Sequence, residues 1–238
     1  MFRFAIVMLS ASLCFGQAFP SESRLPSNEE SNKIQRAGTK SRVSGDKAIL
    51  TRVLTGKFTQ ADVPEMIADF EGQEPHALDF GGTVLLREVN GEWLLIRYAA
   101  GFRSTECRTF QRTDHTDLLL CRGGHTAMGQ NTVYLFTYDW KQEKGGRVIL
   151  LQVTDNRSAC GASYSAARFE HFEVADFNRD GLPDLGVTVQ AGLVPCGRQP
   201  SYAAMPRSLV QFLFDGKDFR VSPGTAAAKR KLDALNRP

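Results

Sequence analysis

No apolar run in this sequence is long enough to cross a bilayer as a helix; the longest, residues 4–15, stops short of the roughly 20 residues that a span requires. Nor is the charge one-sided. The chain's 29 lysines and arginines stand against 26 aspartates and glutamates, and a formal net charge of +3 gives no pull toward nucleic acid or an anionic membrane. Neither nucleic acid nor stable membrane insertion is therefore expected. Histidine is scarce. His76, His115, His125 and His171 are scattered, with no His-Glu-x-x-His helix to hold a catalytic zinc. A Gly-x-Ser-x-Gly elbow and a phosphate-cradling glycine loop are also missing, which removes the commonest signatures of hydrolases and nucleotide enzymes. No two cysteines have the close spacing of a zinc knuckle.

What is present is the composition of an ordinary folded protein, 42% hydrophobic and 23% charged over 238 residues, enough for one compact domain. Arg3 precedes the apolar run, and Gly16 and Ala18 follow it at small-residue spacing; residues 1–18 read as a secretory signal cleaved after Ala18. Leu13 argues against a lipid anchor at Cys14, because such signals usually carry a small residue there. A secreted or periplasmic location follows. Cleavage removes Cys14 and leaves Cys107, Cys121, Cys160 and Cys196, an even number in an oxidising compartment. Two disulfides are expected. Of the three pairings open to four cysteines, Cys107 with Cys121 and Cys160 with Cys196 are favoured because each pair brackets a predicted strand.

Residues 19–45 are rich in Ser, Asn, Pro and charge, with few large apolar side chains, and are expected to form a disordered tether. From there to residue 223 the pattern becomes short apolar or alternating runs at 83–89, 92–98, 132–140, 148–153, 185–190 and 209–214, the mark of strands. Asn90-Gly91 and Asp215-Gly216 supply tight hairpin turns. Helix is expected only at 61–70 and in the Ala-rich tail within 224–238. Three stretches align on Phe58, Phe110 and Phe177. In each an acid follows seven positions later (Glu65, Asp117, Asp184), then an apolar residue (Met66, Leu118, Leu185), and a glycine-containing hairpin turn lies downstream. The domain at 46–223 is thus expected to repeat one loop-strand-hairpin unit three times.

Within the third unit, Asp176, Asn178, Asp180 and Asp184 place side-chain oxygens at loop positions one, three, five and nine. Calcium takes six to eight oxygens, and this alternation lets one short loop wrap the ion. The carbonyl of Leu182 would serve at position seven, and Gly181 at position six permits the sharp turn. An EF-hand needs an acid at position twelve, but Val187 stands there, and both flanks read as β. The stretch ADFNRDGLPDLGV (175–187) resembles the FG-GAP or VCBS repeat of integrin-type β-propellers. That resemblance implies one Ca2+ held by Asp176, Asn178, Asp180, Leu182 and Asp184. The other two units keep only the acid at position nine, with Lys57 or Thr109 at position one and Ala61 or Thr113 at position five, and are not expected to bind metal.

A closed propeller has typically at least about four blades, so three units imply an all-β, incomplete propeller-like array of about three small antiparallel sheets. A β-sandwich is the alternative. The function expected is an exported calcium-binding scaffold or binding module, its calcium structural, facing a protein or carbohydrate ligand. The alternative is a carbohydrate-active hydrolase or lectin-like protein, drawing on Asp114 with Asp117 or Glu170 with Glu173 and on Trp93 and Trp140. Hydrolysis of that kind needs carboxyl groups roughly 5 to 9.5 Å apart.

Overall fold

A computed structural model describes residues 19–40, 49–71, 82–100, 104, 106–127, 130–142 and 146–235. The expected signal at 1–18, the end of the expected tether at 41–45 and His76 lie outside the described residues. Three four-stranded sheets follow one another along the chain, each an antiparallel meander. The first contains β1 (Ile49–Gly56), β2 (Glu65–Glu71), β3 (Gly82–Val89) and β4 (Glu92–Ala100). The middle sheet contains β5 (Cys107–Gln111), β6 (Asp117–Ala127), β7 (Gln130–Asp139) and β8 (Gly146–Asn156). The third contains β9 (Ser163–Ala175), β10 (Asp184–Pro195), β11 (Arg207–Phe214) and β12 (Phe219–Val221). The expected all-β array of three small sheets is what forms.

The stacking order explains the hydrophobic pattern. Leu119, Cys121, Phe136 and Tyr138 of the middle sheet share a core with Leu54, Ile67 and Leu85 of the first. On the opposite face Leu118, Leu120, Leu135 and Leu151 share a core with Val187, Val189, Val210 and Phe212 of the third. A sheet covered on both faces has no wet side, so its strands read as continuous apolar runs. Leu118, Leu119 and Leu120 accordingly are all buried. In β11 the pattern alternates instead, Val210, Phe212 and Phe214 facing the core and Leu209 facing water. Both favoured disulfides, Cys107–Cys121 and Cys160–Cys196, are formed.

Two expectations are corrected. Residues 65–71 are strand β2, not helix: Ile67 faces the middle sheet while Met66, Ala68 and Phe70 face the other way, a period of two that tertiary burial imposes. The second concerns the expected tether, whose described part is ordered and includes helix α1 (Asn28–Lys40). Ser27 Oγ accepts the Glu30 amide at 3.2 Å and Glu30 Oε2 accepts the Ser27 amide at 2.9 Å, a reciprocal capping box. Ile34 and Ala37 then cover Met66, Phe70 and Leu86 on the first sheet's outer face. Two apolar side chains on one helical face suffice, which is why a polar composition concealed the helix. The C-terminal helix α2 (Ala226–Leu235) forms as expected and buries Leu232 between the middle and third sheets.

Candidate metal-binding loop

The loop at 176–183 connects β9 to β10, and the Ala175–Asp184 rung closes its base. Two backbone positions turn through the left-handed region, Arg179 at φ 63° and Gly181 at φ 86°. Gly181 adopts this without the steric cost a side chain carries. The turn is knitted by its own acids. Asp176 accepts the Asp180 amide at 3.1 Å and the Gly181 amide at 2.9 Å, while Asp180 Oδ1 accepts the Leu182 amide at 2.8 Å. Asn178 Oδ1 accepts the Asp180 amide at 3.1 Å, and its amide nitrogen donates to Asp180 Oδ2 at 2.8 Å. Phe177 folds back over β10, where a Cβ at Gly186 would stand 3.0 Å from its ring.

Asp184 differs from the other acids. It is fully buried, and its two oxygens accept the Phe177 amide at 3.0 Å and the Phe214 amide at 2.8 Å, joining the loop to β11. The acids aligned with it also open the second strand of their sheets and also hold loop amides. Glu65 accepts the Thr59 amide at 2.6 Å within its own loop. Asp117 reaches across to the first sheet and accepts the Lys57 amide at 2.7 Å; burial pushes its carboxyl above the ordinary range, partly offset by that amide. The recurrent acid is therefore a backbone clamp in all three sheets. The aligned phenylalanines are less alike: Phe58 and Phe177 lie in loops, whereas Phe110 lies inside β5, because the β5–β6 connection is shorter.

These loops meet at one end of the array. Asp117 donates its amide to the Lys57 carbonyl at 2.8 Å, and Thr113 donates to the Gly216 carbonyl, between β11 and β12, at 2.9 Å. Arg112, buried, adds a bond to the Lys217 carbonyl at 2.9 Å and an ion pair with Asp139 at 3.0 Å.

The donor set suits a hard cation, because Asp176, Asn178 and Asp180 are exposed oxygen donors and a carboxylate oxygen that accepts one amide retains a lone pair. The carboxylates are not gathered around a common point: among the described residues no group of three His, Cys, Asp or Glu is placed to hold an ion. A shared cation would need Asp176 and Asp180 drawn toward a common point, while both oxygens of Asp184 already accept backbone amides.

Of the groups considered for glycoside chemistry, Glu173 is exposed on β9, and the others are engaged elsewhere. Asp114 accepts the Thr116 amide at 3.1 Å and pairs with Lys141, which holds its carboxyl well below the usual range. Glu170 forms a fork with Arg207 at 2.6 to 2.9 Å. Trp140 is buried between the first two sheets, and Trp93 packs against the core beneath α1. Compared with protein-family models, curated proteins and solved structures, the chain has no significant match.

Proposed function

We propose that the protein is an exported scaffold or binding module in which one calcium ion stiffens the 176–184 loop. The observation that carries this proposal is the loop itself: exposed oxygens of Asp176, Asn178 and Asp180 crowd one tight turn whose base is anchored by Asp184 to β11. Those residues and the Leu182 carbonyl would hold the ion. Calcium would supply charge neutralisation and a rigid tie between β9 and β10; no chemical step is assigned to it. Export is supported by the two disulfides, which persist in oxidising compartments, and among the described residues no helix is long and apolar enough to cross a membrane.

The test is calorimetric. Calcium titrated into the metal-stripped protein is expected to bind at one site with a dissociation constant on the order of 10⁻⁴ to 10⁻³ M, as in extracellular modules. Saturating calcium should then raise the melting temperature, since a ligand that binds only the folded state stabilises it by mass action. No heat of binding together with an unchanged melting point in excess EDTA would refute the proposal.

A further inference from the structure

The two disulfides stand in opposite surroundings. Cys107 and Cys121 face each other across β5 and β6, and both are fully buried in the core between the first and middle sheets. Cys160 and Cys196 lie in the connections that enter β9 and leave β10. Cys160 is exposed and Cys196 half-buried, and a Cβ built on the adjoining Gly161 or Gly197 would meet no other group within 4 Å. That bond is open to an attacking thiol. It also fastens the start of the β10–β11 connection, residues 196–206, which folds over the third sheet. The period of two that puts Arg168 and Gln190 on the outer face puts Ala166, Gly192, Tyr164 and Val194 there as well. Tyr202 and Met205 cover this apolar strip, Met205 lying 3.5 Å from where a Cβ on Gly192 would stand. Backbone bonds tie the cover at its two ends: the Cys196 amide donates to the Ala162 carbonyl at 3.1 Å, and the Ala191 amide donates to the Pro206 carbonyl at 3.2 Å. Between them side chains make contact. The Tyr202 hydroxyl donates to Asp155 of β8 at 3.3 Å, its ring lies beneath the Arg168 guanidinium, and the Tyr164 hydroxyl donates to the Arg198 carbonyl at 2.9 Å.

We propose that Cys160–Cys196 is a reducible latch on this cover, opened by a dithiol while Cys107–Cys121 stays closed. The reductant's thiolate attacks the exposed Cys160 sulfur to form a mixed disulfide, and Cys196 leaves as a thiolate that takes up a proton. The second thiol of the reductant then displaces Cys160 and gives up its proton to it. Two electrons pass to the protein, and the reductant ends as a cyclic disulfide. Exchange requires access to a sulfur, which the core denies to Cys107 and Cys121. In an oxidising compartment the latch is closed. Reduction removes the covalent link between residues 160 and 196 and leaves the cover to its end bonds and the contacts of Tyr202 and Arg198, so it opens locally without unfolding the sheets. Opening bares Tyr164, Ala166 and Val194.

Graded dithiothreitol without denaturant, followed by alkylation and peptide mapping, measures which thiols appear. Cys160 and Cys196 are expected to be labelled together and at least about tenfold faster than Cys107 and Cys121. Equal rates for the two pairs would overturn the proposal. Hydrogen exchange then compares the selectively reduced chain with the oxidised one. The Ala191 amide, held by the Pro206 carbonyl, and the Met205 amide, held by the Tyr202 carbonyl, should exchange at least about tenfold faster after reduction, while amides within β7 keep their protection. Unchanged exchange at Ala191 and Met205 would mean that the bond opens without releasing the cover, and would equally overturn the latch. Replacing both cysteines, Cys160→Ser with Cys196→Ser, should reproduce the fast exchange without reductant and make it insensitive to dithiothreitol. Slow exchange at Ala191 and Met205 in that double variant would also refute it.

Discussion

Asp184 has two claims on its carboxylate, as an expected calcium ligand and as the clamp that holds Phe177 and Phe214 by their amides. The clamp does not depend on metal. Replacing Asp184 by Asn turns one acceptor oxygen into a donor facing a buried amide, and leaving such a group unsatisfied costs about 1–3 kcal/mol. Asp184→Asn should therefore lower stability to urea by that amount in EDTA as well as in calcium. Asp176→Asn and Asp180→Asn should behave differently: these side chains are exposed, and their loss should be felt mainly when calcium is present. Unfolding curves for the three variants with and without calcium separate the roles. If Asp184→Asn is harmless in EDTA, the clamp has been overvalued. The sequence alone ranks these acids together because alternation records oxygen spacing. It does not record that one oxygen of Asp184 is committed to β11, a contact between residues thirty positions apart.

At the level of elements, β3, β4, β7, β8, β10 and β11 were legible as apolar or alternating runs, whereas β1 was not, although it has exposed positions and ends at Gly56. Asn90 and Gly91 both take positive φ at the β3–β4 hairpin, as their types implied. The helix expected at 61–70 failed because its apolar residues are sorted by two neighbours, α1 and the middle sheet, which no local window contains. Helix α1 was missed, because its capping box at Ser27 and Glu30 lies in a segment whose polar composition reads as a tether. Its entry is further fixed by Arg24, whose guanidinium meets Glu30 at 2.8 Å and holds that carboxyl down at about 2 from an ordinary 4.5. A depressed folded-state value means the contribution is fully present above the ordinary carboxylate range and is lost as the pH falls from about 4.5 through about 2. The pair is partly solvated, so its contribution is small. Acid titration followed by exchange of the Ser27 and Glu30 amides should show the start of α1 loosening across that window. Glu30→Gln should already be loose at neutral pH and should lack this transition. An identical acid profile in the variant would rule out Glu30 as its cause.

For the molecule as a whole, the question is how three sheets stop without closing a ring. A missing blade would require an apolar face waiting at each end. The first sheet does have such a face, formed by Met66, Ala68, Phe70, Val84 and Leu86, but α1 lays Ile34 and Ala37 over it. The third sheet's outward rungs pair Gly186 with Glu173, Thr188 with His171 and Gln190 with Arg168, and Arg168 donates to Gln190 at 2.9 Å. Leu209 is exposed on the same rung as Thr188, and further along that face Tyr164, Ala166 and Val194 are covered by Tyr202 and Met205. One end is capped by a helix and the other by polar side chains together with the segment that carries Tyr202 and Met205, so the chain should sediment as a monomer. The cap can be tested directly. Ile34→Asp places a charge where a fully buried side chain meets Met66 and Phe70, at a cost of about 3 kcal/mol or more, enough to release α1 while the two inter-sheet cores persist. The freed face should then bind a hydrophobic dye and drive association, read as a concentration-dependent increase in sedimentation coefficient. If wild type already sediments as a closed dimer, the capped-stack account fails; if Ile34→Asp neither binds dye nor associates, α1 is not what closes the first sheet.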